Sequence, residues 1–161
     1  MALNQFTTQS AWISCSNAKD TSLQISASDT WYAISLSNVA VLNEKSIYNF
    51  NTPIALKDWN IYPKIKGVYL ITASMTTSGA VNHSLSFRAG FGSVANGFTY
   101  PPNMLTYDSK GGNEWAVNYN TIMEIKNLED GVDYFVFEGR NNTSTNDIEY
   151  VYLNISILKL Y

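Results

Sequence analysis

At 161 residues the chain is one domain long, and a domain of that size buries roughly 68–70% of its unfolded surface without needing a disulfide or a metal. Hydrophobic residues make up 45% and charged residues only 14%, well under the usual ~25%, so Asn, Ser and Thr supply the polar surface and the turns. The net charge is −3, with Lys and Arg scattered, which excludes the clustered basic footprint of a nucleic-acid binder.

In chain order, Ala2 to Gln9 is short and polar and reads as an arm, with the domain proper beginning at Trp12. Residues 1–11 are therefore assigned to an attachment segment and 12–161 to one folded domain. Trp12 to Cys15 is a first short strand, and Leu23 and Ile25 alternate in a second. Tyr32, Ile34 and Leu36 alternate with Trp31, Ala33 and Ser35, the period of two that marks a strand. Short apolar runs follow at Val39 to Leu42, Ile47 to Phe50, Ile54 to Leu56 and Trp59 to Tyr62. Pro63 cannot donate to a central ladder, so it marks an edge or a strand end.

Gly67 to Met75 is the most continuously apolar stretch. Tyr69, Ile71, Ala73 and Met75 fall on one face and Val68, Leu70 and Thr72 on the other, so both faces should be covered. The turn cluster from Thr76 to Gly79 is expected to end this central strand. His83 to Phe91 alternates as a half-exposed strand, with Leu85, Phe87 and Ala89 on one side. Gly92 to Gly112, with Asn96-Gly97, Pro101-Pro102 and Gly111-Gly112, reads as a long loop with one short strand at most.

Glu114 to Lys126 is the longest clean alternation and places Trp115, Val117, Tyr119, Thr121, Met123 and Ile125 together. Val132 to Glu138 and Glu149 to Tyr161 close the chain as strands. No stretch sustains an i, i+3, i+4 apolar pattern. Many short strands separated by turn signals specify an all-β sandwich or barrel.

The sequence offers little for catalysis. His83 is the only histidine and Cys15 the only cysteine, so neither a standard zinc site nor an intrachain disulfide is available. His83 beside a turn, without an orienting carboxylate, does not make a Ser-His-Asp arrangement. The acidic pairs Glu129-Asp130 and Asp147/Glu149 sit at turns and read as solvated charge, and no Asp-x-Asp-x-Asp-Gly calcium loop occurs. The phosphate loop and the dinucleotide fingerprint are missing as well. The expectation is a protein without catalytic residues, metal or cofactor. Met1 to Gln5 has neither the basic start nor the apolar stretch of a secretory leader, and no run approaches the ~18 apolar residues of a membrane span. With no disulfide available either, assembly in a reducing cytoplasm is expected.

Three places in the chain resemble the C1q/TNF-like jelly-roll family. They are Gln24 to Ser35, where Thr30-Trp31 opens a strand, Ile47 to Asn51 followed by Ile65-Lys66-Gly67-Val68-Tyr69-Leu70-Ile71, and Gly131 to Phe137 followed by Tyr150 to Leu160. The closing strand differs from the family in having no Gly within Leu153-Asn154-Ile155-Ser156, and no Gly-X-Y segment precedes the domain. The resemblance implies a two-sheet antiparallel jelly-roll sandwich that assembles as a homotrimer and does no chemistry. It is similar to compact versions found in phage head fibres, capsid decorations, tail receptor-binding heads and bacterial surfaces. A virion component is the implied role, joined to a capsid or tail protein by Leu3, Gln5 and Phe6 of the arm. A lectin-like adhesin, at the cell surface or secreted and binding a cell-surface glycan, is the alternative.

Surplus apolar sheet surface fits subunit contacts near a threefold axis. Tyr69, Tyr119, Tyr150, Tyr152 and Leu158 are candidates for that contact, and filling the core is the other use open to the tyrosines. Phe98, Tyr100, Asn103 and Tyr107 in the long loop are candidates for a partner or sugar surface, with a self-packed loop or a subunit contact as the other readings.

Overall fold

The computed structural model describes residues 10–15, 23–25, 30–34, 41–43, 54–57, 60–78, 84–108, 115–129, 131–143 and 148–160. Every regular element among them is a strand. In chain order they are β1 (Ser10–Cys15), β2 (Leu23–Ile25), β3 (Trp31–Ala33), β4 (Val41–Asn43), β5 (Ile54–Lys57), β6 (Asn60–Pro63), β7 (Gly67–Ser78), β8 (Ser84–Ser93), β9 (Gly97–Thr99), β10 (Leu105–Asp108), β11 (Trp115–Ile125), β12 (Tyr134–Asn141) and β13 (Ile148–Lys159). The stretch from Ile47 to Phe50 lies outside the described residues, as do His83 and Asp147.

The strands pair antiparallel into two sheets. The first runs β11-β7-β13-β1-β4 with β2 also on β13, and the second runs β10-β8-β12-β6-β5 with β3 on β12 and β9 on β8. Alternation explains how they face one another. On β7 the side chains of Tyr69, Ile71, Ala73 and Met75 are buried, and on β11 so are Val117, Tyr119, Met123 and Ile125. Those two sets lie on the same side of the first sheet, because Tyr119 pairs with Ala73, and Met123 with Tyr69. Leu153, Ile155 and Ile157 of β13 continue the set through their pairing with Met75, Ala73 and Ile71. The second sheet answers with Leu85, Phe87, Ala89, Phe135 and Phe137. The result is a sandwich with one apolar layer between its sheets.

Aromatic rings fill that layer edge to face. Phe87 meets Tyr119 at 5.1 Å between centroids, and Tyr69 meets Phe135 at 5.6 Å. Offset and edge contacts of this kind add about 0.5–1.5 kcal/mol each beyond the area they bury.

The structure changes several expectations. β7 does not end at Met75 but continues to Ser78, because Thr76 and Thr77 pair with β11 and β13 on both flanks. The long loop is more ordered than its turn residues imply, since it carries both β9 and β10, each paired with β8. β8 turns into β9 through Val94, Ala95 and Asn96, and Gly97 adopts φ +77°. That is a three-residue hairpin closed by a left-handed glycine. The Ser93 hydroxyl accepts the Asn96 amide at 3.1 Å and closes the turn. Pro63 ends β6, as its missing N–H requires.

Candidate functional site

Two outward faces remain once the core is assigned, one on each sheet. On the second sheet the register sets Ser86, Arg140 and Trp31 in one row and Arg88, Glu138 and Ala33 in the next. A third row pairs Gly90 with Val136. Cross-strand neighbours on one face touch, so the charges in these rows meet. The Arg88 Nε donates to Glu138 Oε2 at 2.7 Å, and Nη2 lies 2.6 Å from the same oxygen. The other carboxylate oxygen, Oε1, accepts the Tyr100 hydroxyl at 3.0 Å.

Two rings enclose the guanidinium. Arg88 Cζ lies 3.6 Å from the centroid of Tyr100 and 4.0 Å from that of Trp31. Cations over aromatic faces are worth about 0.5–1 kcal/mol when exposed and more when water is excluded. Gly90 makes the stack possible, since a Cβ at that position would stand 2.5 Å from the Tyr100 ring. Burial pushes the Tyr100 phenol up to about 12, and the Glu138 carboxylate beside it acts in the same direction.

Arg140 is held differently. Its Nε donates to Asn142 Oδ1 at 2.7 Å, and its Cζ stands 4.9 Å from the Trp31 centroid. Asn142 is itself fixed, because its Nδ2 donates to the hydroxyls of Ser84 at 3.1 Å and Ser86 at 2.8 Å. A hydrogen bond of 3.1 Å between the Ser86 and Thr106 hydroxyls carries the network to the edge strand β10. Farther along the same face, Phe98 and Tyr62 flank Tyr134 at 5.4 and 5.6 Å. Burial raises the Tyr134 phenol, with Tyr62 adding to it.

The outward face of the first sheet is different in kind. Ile122 pairs with Leu70 and Leu70 with Leu158, so three aliphatic residues cross adjacent strands in register. Ile122 is 60% exposed. Beyond them the face turns polar, with Ser74 donating to Asn118 Oδ1 at 2.7 Å.

The residues expected to form one binding loop do separate jobs. Phe98 and Tyr100 join the outer face of the second sheet. Tyr107 turns inward and packs against the core. Asn103 closes the open side of the sandwich: its Nδ2 donates to the Asn120 carbonyl at 2.9 Å and its Oδ1 accepts the Thr121 hydroxyl at 2.7 Å. A cleft of about 540 Å³ lies between Tyr100-Pro101-Pro102 and the end of β11, with Ile122, Lys126 and Asp133 on its walls.

Of the residues considered for subunit contact, Tyr69 and Tyr119 lie between the sheets. Tyr69 is fully buried and donates its hydroxyl to the Ile65 carbonyl. The Tyr119 hydroxyl reaches the Asn103 carbonyl at 3.2 Å. Leu158 is on the outward face, half-buried. The backbones of Tyr150 and Tyr152 pair with Thr77 and Thr76. Their side chains, like Leu3, Gln5 and Phe6, lie outside what is described.

Sequence reasoning did not single out Arg88, Glu138, Arg140 or Asn142. The available signal was a lone arginine between Ser86 and Gly90 on the polar face of an alternating strand, opposite a strand with a lone glutamate. Among the described residues no group of three or more His, Cys, Asp and Glu could hold a metal ion. No helix among them is long and apolar enough to cross a membrane.

No family model and no curated protein sequence matches the chain. Solved structures do match. The Eiger TNF of S. frugiperda aligns with a TM-score of 0.62 at 12% identity, over 96% of this chain and 93% of that one. The globular domain of zebrafish complement 1qA protein aligns with a TM-score of 0.50 at 11% identity, over 95% and 98%. The chain has a C1q/TNF-like jelly-roll fold.

Proposed function

We propose that the chain is a non-enzymatic structural and adhesion module that works as a homotrimer, carried on a phage virion as a head fibre, capsid decoration or tail receptor-binding head. The observation that supports this most directly is the aliphatic row Ile122, Leu70 and Leu158 on the outward face of the first sheet. A single copy leaves Ile122 exposed and Leu70 and Leu158 half-buried, and apolar surface spread across a sheet marks an interface. Tyr69 and Tyr119 back this face from inside the sandwich and stiffen it, whereas Leu158 lines it. Tyr150 and Tyr152 belong to the strand that runs through its centre. The attachment segment to a capsid or tail protein, expected over residues 1–11 with Leu3, Gln5 and Phe6 as its anchors, overlaps β1 at Ser10 and Ala11, which pair with Leu158 and Ile157, so the arm is confined to residues 1–9 and the displayed domain starts at Ser10.

Light scattering after size exclusion tests the assembly. A mass three times 18.0 kDa supports the reading, and a monomer at micromolar concentration overturns it. Removing residues 2–9 tests the arm: the trimer should survive and attachment to the particle should be lost.

A second reading is a lectin-like adhesin displayed on a bacterial surface or secreted. The aromatic and hydrogen-bonding outer face of the second sheet favours it. Both readings share the jelly roll and the trimer and differ in what carries the module.

A further inference from the structure

We infer that Asn96 is a site of spontaneous deamidation, and that its conversion to a carboxylate unties the β8–β9 hairpin from the turn between β11 and β12. The inference stands apart from the choice of carrier, because it rests on the chemistry and contacts of this residue alone.

Sequence and backbone put the reaction at this position. Asn96-Gly97 is the only Asn-Gly pair in the chain, and both residues are exposed at the hairpin tip. Gly97 has φ +77°, and a Cβ built on it would meet nothing within 4 Å. A glycine after asparagine leaves its own nitrogen unshielded and its peptide free to rotate toward the asparagine side chain. That nitrogen adds to Cγ of Asn96 and loses its proton, the Cγ–Nδ2 bond breaks, and Nδ2 leaves as ammonia. The product is a cyclic imide. Water adds to one of its two carbonyl carbons and opens the ring, giving aspartate or isoaspartate. Water is the only co-reactant, and nothing is oxidised or reduced.

The contacts decide the consequence. Asn96 Nδ2 donates to Glu129 Oε2 at 2.9 Å and to Asp133 Oδ1 at 3.3 Å, so one amide stands between two carboxylates. Asp133 is 7% exposed, and its other oxygen accepts the Glu129 N–H at 2.8 Å, which fixes its carboxylate in place. An amide nitrogen donates to both acids, whereas a carboxylate donates to neither. Deamidation therefore replaces a shared donor with a third negative charge where two already meet. The same two bonds govern the rate. Ring closure needs the amide to swing off both acids, so the reaction runs through local opening of the hairpin tip.

The test ages the full chain in mildly alkaline buffer and follows every asparagine by peptide mapping and mass spectrometry, which reads the mass gained when an amide becomes an acid. Asn96 should change at least about tenfold faster than Asn103 and Asn127, which are also exposed but precede Met104 and Leu128. Equal rates at these positions overturn the site. Glu129→Ala leaves the amide one of its two acceptors and should speed the change at Asn96, and an unaltered rate overturns the control by opening. Asn96→Asp stands in for the product. Its unfolding constant should rise about tenfold to a hundredfold, the scale of lost hydrogen bonds to charged groups, and hydrogen exchange at Gly97 and Val132 should quicken. Asn96→Ala removes the donor without adding charge and should lose less. Wild-type stability in Asn96→Asp overturns the untying, and equal losses in the two variants overturn the part played by the third charge.

Discussion

Arg88 and Glu138 stand opposite each other on β8 and β12, and one oxygen of the glutamate takes two nitrogens of the arginine while the other takes the hydroxyl of Tyr100. The side chains are 24% and 13% exposed, so this is neither a surface ion pair nor a fully buried one. Glu138→Ala therefore does more than delete a bond. It leaves a guanidinium between two rings with no counter-ion and a phenol with no acceptor. A loss of about 1.5–3 kcal/mol is expected in denaturant unfolding, the range for hydrogen bonds to charged groups. A double-mutant cycle with Arg88→Ala checks it: the two losses should fall well short of adding, and additive losses would show the pair uncoupled.

Tyrosine ionisation should be divided. Burial raises both Tyr69 and Tyr100 from 10.0 to about 12. The folded state favours the neutral phenol, so the stability these groups contribute is complete below pH 10 and is lost as pH rises through about 12. Phenolate absorbance should lag for these two, and Tyr134 is raised as well. Tyr100→Phe should remove one late-titrating group and leave Tyr69 and Tyr134. If Tyr100→Phe leaves the late phase at full amplitude, Tyr100 is not held as described.

Gly90 should resist replacement. A Cβ there meets the Tyr100 ring at 2.5 and 2.7 Å and Val136 at 3.0 Å. Gly90→Ala forces the ring off the strand, at about 1–3 kcal/mol for overpacking. Two readouts should move together: the midpoint of unfolding falls, and Tyr100 titrates closer to pH 10. Gly92→Ala is the harsher change, because its Cβ would stand 2.1 Å from the backbone oxygen of Gly97 at φ +146°.

Assembly and folding should separate by face. Ile122→Lys places a charge on the outward row and, if that row is the proposed subunit contact, should reduce the assembly to a monomer while leaving the subunit folded, since isolated surface changes usually stay within about 0.5 kcal/mol. Tyr119→Ala empties a core position against Phe87 and should cost about 3–5 kcal/mol. Light scattering and circular dichroism on the two variants distinguish them. A trimer that survives Ile122→Lys would place the subunit contact elsewhere.

Asn103→Ala should loosen the open side of the sandwich. Thr121 is 3% exposed and gives its hydroxyl to Asn103, so the substitution strands a buried donor at about 1–3 kcal/mol. Faster proteolysis within residues 100–104 and a lowered melting temperature are expected. Unchanged cleavage there would mean that Pro101 and Pro102 stiffen the segment by themselves.

Much of the architecture could be read from spacing. Val117, Tyr119, Thr121, Met123 and Ile125 were expected on one face because a strand repeats every two residues, and the structure buries all five. Leu85, Phe87 and Ala89 behave likewise. Period two says which residues share a face, because it follows from backbone pleating alone. It does not say which face meets the other sheet. On β7 both faces are rich in apolar residues, and only the partner sheet shows that Tyr69 points inward and Leu70 outward.

The loop from Gly92 to Gly112 shows the same limit. Its turn residues were legible, yet β9 and β10 form because Phe98 and Leu105 find the edge of β8, a contact between chain segments that local propensity does not contain. The candidate site was less legible still. Tyr100 was a candidate from the loop, but Trp31, Arg88, Glu138 and Arg140 come from strands far apart in the chain, and nothing in the sequence joins them to it. By itself the sequence determined that the chain is all β and which side chains travel together, since both depend on periodicity within a strand. The tertiary structure decided which face is core, which is exposed, and that a cation lies between two rings, since those depend on register between strands.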